Sequence, residues 1–269
     1  MGTRAGRGAW FVWRTVTCAV ALAFAAAALA AATPEVPPLP KVVQATDVQA
    51  TGLAESVATA VTEKNDEGLA HALAQMEALR HDTFVPLIRA GLKSADRGVL
   101  SASIRAAASH ELKDVEKDVR KLLHPKGKKS SDAPPSGAVA AASIDYLVRL
   151  DVAGEEAAVL DDFLTPYFAD ERWMRASWGM DLARGSVHYL GKRKFRRAVP
   201  LLVEMVADPV PADPGAGNNP PESYWKERTK LFRASEGWVR WALKEITGQE
   251  FRSYREWAAW VEQNKKLFK

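Results

Sequence analysis

The chain has 269 residues, 47% of them hydrophobic, enough to bury a sizeable core as one domain or two. Its formal charge of +4 is small and its only cysteine is Cys18, so neither a strongly charged binding protein nor a disulfide or multi-thiolate framework is in view.

Residues 1–32 read as a signal peptide. Arg4, Arg7 and Arg14 make a positive start, an Ala-rich apolar run fills 15–32, and Ala30-Ala31-Ala32 supplies small residues for cleavage. The run sits at the lower limit for crossing a bilayer, so a retained anchor is the competing reading. Cleavage would remove Cys18 and the three arginines, taking the net charge from +4 to +1. The basic balance therefore says little about the mature chain's partners. The expected location is periplasmic or secreted, with no stable membrane span after cleavage. Residues 33–50, with Pro34, Pro37, Pro38 and Pro40, predict an extended tether.

A helical domain is expected over 51–269. Periodicity begins near Leu53, with Val57, Ala60 and Val61 on one side. After a break at Asn65-Asp66, Leu69, Ala72, Leu73, Met76 and Leu79 form the next stripe. His81-Asp82-Thr83 predicts a turn, followed by a helix with Pro86 in its first turn, where no backbone donor is lost. Residues 94–98 turn the chain into a helix carrying Val99, Ala102 and Ala106, and a shorter one carries Val115, Val119, Leu122 and Leu123. Residues 124–137 are a polar insertion. A helix over 138–150 and a turn at Gly154 lead to the stripe Val159, Phe163, Leu164 and Tyr167. Asp170-Glu171 predicts the start of a helix running to Leu190, kinked near Gly185.

Leu190-Gly191-Lys192 ends that helix, and Val199-Pro200-Leu201-Leu202 opens the next. Val85-Pro86-Leu87-Ile88 is an earlier copy offset by 114 residues, about three periods of a helix-pair unit of roughly 40 residues. Residues 208–221, rich in Pro, Gly, Asn and Asp, are a second insertion. A long helix, or two abutting ones, is expected over 222–246, with Trp225, Phe232, Trp238 and Trp241. Gly248 suits a left-handed cap, and Ser253 with Glu256 a capping box. Trp257, Trp260 and Val261 form the apolar face of the last helix, whose negative end Lys265, Lys266 and Lys269 suit. No stretch alternates as a strand does.

The residues resemble HEAT repeats, the armadillo-like helix pairs. Leu190-Gly191-Lys192 leading to Arg197-Ala198-Val199-Pro200-Leu201-Leu202 carries the likeness. So does an acid followed by apolar-Arg at the start of a pair's second helix: Asp170 with Met174-Arg175, and Glu236 with Val239-Arg240. Ile246-Thr247-Gly248-Gln249 with Phe251, Trp257 and Trp260 is similar to the closing segment of secreted bacterial HEAT-repeat proteins. Gly91, inside a first helix, departs from the pattern. The resemblance implies an all-α solenoid, an armadillo-like superhelix, acting as a scaffold for other macromolecules with no shared catalytic residues.

With the helices of each pair named A and B, the Val85-Pro86 and Val199-Pro200 helices are A. Both insertions then join an A helix to its B helix and are expected on one rim, where inserted loops carry binding without disturbing the stack. Lys126, Lys128 and Lys129 in the first, and Asp208, Asp213 and Asn218 in the second, are candidate partner-binding residues. Lys192, Arg193, Lys194, Arg196 and Arg197 form a further basic cluster. The five histidines show no metal spacing, and no phosphate loop, nucleophile elbow or acid–base pair is present, so no cofactor, metal or catalytic residue is assigned. The Trp side chains after Glu171 read as the packed core of a terminal cap, or, if exposed, as rings that stack on a ligand.

The expected function is thus non-catalytic scaffolding of a protein partner. Binding of an anionic envelope polymer through the basic clusters is second, and an enzyme site in the Trp-rich C-terminal half third. Few aromatics interleave with the basic residues, and nucleic acid is not expected as a partner. Oligomeric state is left open.

Overall fold

The computed structural model describes residues 42–124, 137–211, 215–219 and 222–268. Among them are α1 (Asp47–Thr62), α2 (Asp66–Ala78), α3 (Phe84–Gly91), α4 (Arg97–Ser109), α5 (Glu116–Leu123) and α6 (Gly137–Arg149). α7 (156–169) carries a π-helical middle at Val159–Leu164. α8 (Glu171–Arg175), α9 (Gly179–Lys192), α10 (Val199–Met205), α11 (Glu222–Thr247) and α12 (Tyr254–Gln263) complete the order. Single 3₁₀ turns at Lys113–Val115 and Arg196–Ala198 lead into α5 and α10.

The described chain is all-α apart from one two-residue parallel pair, β1 (Val43–Gln44) with β2 (Leu79–Arg80). The sequence predicted no strand, and two residues a side are too short to show a period. Residues 42–50, expected within the tether, are folded: Ala45 and Ala50 are buried, and Thr46 with Gln49 builds the capping box that starts α1.

The helices pack in sequential pairs. The B helices α2, α4, α6, α9 and α11 each lie against the next, while α1, α3, α5, α7 and α10 pack on their own partners and α12 on α10. This is helical-repeat packing. The B helices pack closely because their contact faces are small, with Ala102, Ser103 and Ala106 on α4 and Ala140, Ala142 and Ser143 on α6 all buried. Gly91 belongs to the same logic. A Cβ there would stand 2.1 Å from the Ser103 hydroxyl, so the residue that departs from the repeat pattern is the one that lets α3 approach α4.

The B helices run parallel, because their C-terminal ends bond side by side. His110 Nε2 lies 3.1 and 2.9 Å from the Met76 and Leu79 carbonyls, Tyr146 Oη donates to Leu112 O at 2.6 Å, and Lys192 Nζ donates to Val148 O at 3.3 Å. α4, α6 and α9 stop in the same way. Glu111, Asp151 and Lys194 take left-handed conformations with φ of 56°, 58° and 52°. The next amides, on Leu112, Val152 and Phe195, bond back to Ala107, Leu147 and Leu190 at 2.9–3.0 Å. That is a Schellman cap closed by an apolar residue, repeated three times without glycine. α11 ends on Gly248, φ 70°, as its sequence predicts.

The helix expected over 170–190 is two. Trp173 and Trp178 pack edge to face with centroids 5.6 Å apart, and Ala176 turns to extended backbone between them. A Cβ on Gly179 would lie 2.2 Å from the Trp173 carbonyl, so the turn needs glycine. Gly185 lies inside continuous helix. The acids expected to start second helices differ as well. Asp170 caps only the short α8, and Glu236 lies in mid-α11, 2.8 Å from Arg240.

Candidate interaction surface

Of the residues singled out from sequence, Lys126, Lys128, Lys129 and Asp213 lie outside the described residues. Asp208 accepts the Val210 amide at 3.0 Å, a local turn, and Asn218 is exposed. Lys192 and Arg193 both reach Asp151, at 3.4 and 2.6 Å, and Arg197 reaches Asp161 at 3.0 Å. Lys194 and Arg196 are exposed and carry no ion pair among the described residues. Residues 193–195 form a B-to-A link, whereas 124–137 joins A to B.

Two of the histidines join ion-paired or hydrogen-bonded groups. The Glu155 carboxylate, its side chain 10% exposed, holds Arg120 on one oxygen and His124 on the other, at 2.6 Å for His124, and so ties α5 to the start of α7. His81 stands 2.8 Å from the Thr83 hydroxyl and 3.1 Å from Asp47, an order like that of a hydrolytic triad. The Asp47 side chain is 98% exposed, too well solvated to fix the imidazole for catalysis. Among the described residues no group of three or more His, Cys, Asp or Glu could hold a metal ion.

The arrangement the sequence did not reveal lies across the B helices. From Ser101 to His110 every residue of α4 and its cap is buried except Arg105, and from Val139 to Val148 every residue of α6 is buried except Asp145. These two side chains emerge from otherwise enclosed helices and are linked through Glu77 and Arg149. Arg105 Nε lies 3.3 Å from Glu77 on α2. Arg149, whose side chain is only 9% exposed, lies 3.5 Å from Glu77 and 2.8 Å from Asp145. Arg149 also donates to Ser109 Oγ at 3.0 Å. On α9, Arg184 bonds Asp181 at 3.2 Å and stacks over the Trp238 ring of α11 at 5.9 Å. One turn on, His188 meets Trp241 edge to face at 4.9 Å. One row of polar and aromatic groups thus crosses five consecutive helices.

Electrostatics single out Asp145. Burial pushes its carboxyl pKa up, and the opposing pull of Arg149, then of Arg184 and Arg105, does not cancel the effect. A carboxyl whose folded pKa is raised contributes its stability below the unfolded value and loses it as pH rises through the folded one. At neutral pH the raised Asp145 pKa therefore contributes no stability. Burial lowers the His188 pKa, with Lys192 and Arg184 adding to the shift.

The two tryptophan pairs, read alike from sequence, differ in the structure. Trp257 is 1% exposed and stacks edge to face on Phe251 at 4.8 Å, while Trp260 joins it to Phe268, so this pair is cap core. Trp238 and Trp241 are half-buried on the polar row.

No protein-family model, no curated protein and no solved structure matches the chain. The class its own coordinates define is an all-α stack of sequential helix pairs. No helix among the described residues is long and apolar enough to cross a membrane.

Proposed function

We propose that the chain is a non-catalytic helical-repeat scaffold of HEAT-like type that binds a protein partner outside the cytoplasm. The observation that carries this reading is the row from Glu77 through Arg105, Asp145, Arg149 and Arg184 to Trp238 and Trp241. It gives an extended partner successive contacts on five helices, with half-buried aromatic and Arg anchors of the kind that dominate binding energy. Export rests on the leader and is checked by N-terminal sequencing of the secreted chain, expected to begin at Thr33. The basic cluster supports an anionic polymer less well, because it includes no tryptophan, while Asp151 and Asp161 offset the charge of Lys192, Arg193 and Arg197.

A photo-crosslinking residue at position 184 or 238, in the exported chain in its native envelope, is expected to capture a protein. The same residue at Thr59, on the exposed side of α1, is expected to capture none. Capture from 59 alone, or from neither face, would end the proposal.

A further inference from the structure

We infer that residues 36–41 of this chain seat in a groove along α1, as an extended proline-rich segment packed on Ala50, Ala54 and Ala58. The inference stands apart from the row across the B helices, and neither depends on the other.

The groove has a volume of about 440 Å³ and lies between α1 and the turn that precedes α3. Ala50, Ala54 and Ala58 line it from α1, four residues apart and so on one side of the helix, and His81 and Thr83 line it from the turn. Ala50 is buried, Ala54 half-buried and Ala58 exposed, so the groove shallows as α1 proceeds. Val61, one turn further and 59% exposed, continues the apolar side.

Three observations choose the occupant, and length is the first. The lining runs along α1 from Asp47 to Ala58, about 16 Å of helix. Residues 36–41 read Val-Pro-Pro-Leu-Pro-Lys, a composition that favours polyproline II. At about 3.1 Å per residue, six of them span about 19 Å. The segment joins the described chain at Val42, and only β1, Ala45 and Thr46 separate Val42 from α1. Lys41 at Asp47 therefore puts Val36 near Ala58.

Charge is the second. The described lining includes Asp47 and Glu55 and no lysine or arginine. Asp47 meets His81 at 3.1 Å through one oxygen, and its side chain stays 98% exposed, which leaves the other oxygen for a cation. The only charge in 36–41 is Lys41, and the preceding acid, Glu35, falls outside the segment.

Hydrogen bonding is the third. The flank of a helix has no free backbone groups, so a strand laid along it leaves its inward amides without partners. Pro37, Pro38 and Pro40 have no N–H to lose. The Thr51 and Thr83 hydroxyls line the groove and can accept from the amides that remain.

The experiment uses the full chain with C18S, which leaves no native thiol, and two engineered cysteine pairs. A disulfide needs Cα atoms within about 7 Å, so closure reports on seating. V36C/A58C joins the far end of the seated segment to the groove. V36C/S56C moves the second thiol about 200° around the helix, to another exposed position. Under mild oxidation V36C/A58C is expected to close within one chain roughly ten-fold faster than V36C/S56C, because seating raises the effective concentration of the thiols. Peptide mass spectrometry reads the closure, and a non-reducing gel separates bonds within a chain from bonds between chains. Adding P37S/P38S/P40S should abolish the preference with an unchanged circular dichroism spectrum. K41E, which sets a third acid beside Asp47 and Glu55, should reduce it several-fold at low salt. Equal closure of the two pairs, or a preference that survives both the serine changes and K41E, would overturn the inference. Disulfides that join two chains would also overturn it, and would give the groove to a second copy.

Discussion

The two ends of the stack solve one problem differently. A terminal helix has a neighbour on one side only, and its outer face must tolerate water. At the C-terminal end, Trp257 is buried against Phe251 and Trp260, while Arg255, Glu256 and Glu262 face out. At the N-terminal end, α1 buries only Ala50, Leu53, Val57 and Ala60, and leaves Val48 and Val61 at 82% and 59% exposure. Its only charges are Asp47 and Glu55. The lesson concerns anchorage. The last helix is held by large rings and the first by small aliphatic groups, so stability should rise along the stack toward its C-terminus.

The strongest attempt to break that contrast is a pair of truncations. Trp257→Ala should cost about 3–5 kcal/mol and Leu53→Ala about 2 kcal/mol, measured by urea denaturation; equal losses would erase the asymmetry. Amide exchange should follow, with α1 exchanging before α11 and α12. A smaller effect concerns the shared spine. Tyr146→Phe removes the donor to Leu112 O and should cost about 1 kcal/mol, with a lower melting temperature. Gly248→Ala puts a Cβ on a left-handed residue and should cost about 1 kcal/mol. At the low end, Val48→Lys should change the melting temperature by no more than the error, since its side chain is almost wholly exposed.

Acid probes the α2–α4 seam. Burial lowers the His110 pKa, against the bonds to Met76 and Leu79, with Arg80 and Asp82 as the nearby charges. A histidine whose folded pKa is depressed contributes stability above the unfolded value of about 6.5 and loses it as pH falls through the folded one. Melting temperature should fall from pH 7 toward pH 5, and His110→Gln should flatten that slope.

The fold was largely legible. Apolar stripes at helical spacing located the helices, and Gly248, Ser253 and Glu256 announced their caps. The failures have physical causes. Glu111, Asp151 and Lys194, like Lys64, end helices in a glycine conformation without being glycine, held by the backward bond of the next amide, which a scan for glycine passes over. The break at Ala176 depends on two tryptophans packing, a tertiary effect. The row across the B helices was not legible. Glu77, Arg105, Asp145 and Arg184 lie about a repeat apart, each an ordinary charge on its own helix, and only the stacking of the B helices brings them together.

Parallel alignment of α2, α4, α6, α9 and α11 has an electrical consequence. Each helix carries roughly half an elementary charge of opposite sign at its two ends, and five aligned helices add rather than cancel. The edge where they finish is a line of partial negative charge, answered by Lys192 at Val148 O and Arg240 at Phe251 O. The opposite edge, where they begin, is correspondingly positive. The helices α1, α3, α5, α7 and α10 run back the other way and offset part of this field, so the polarity belongs to the edges of the B layer.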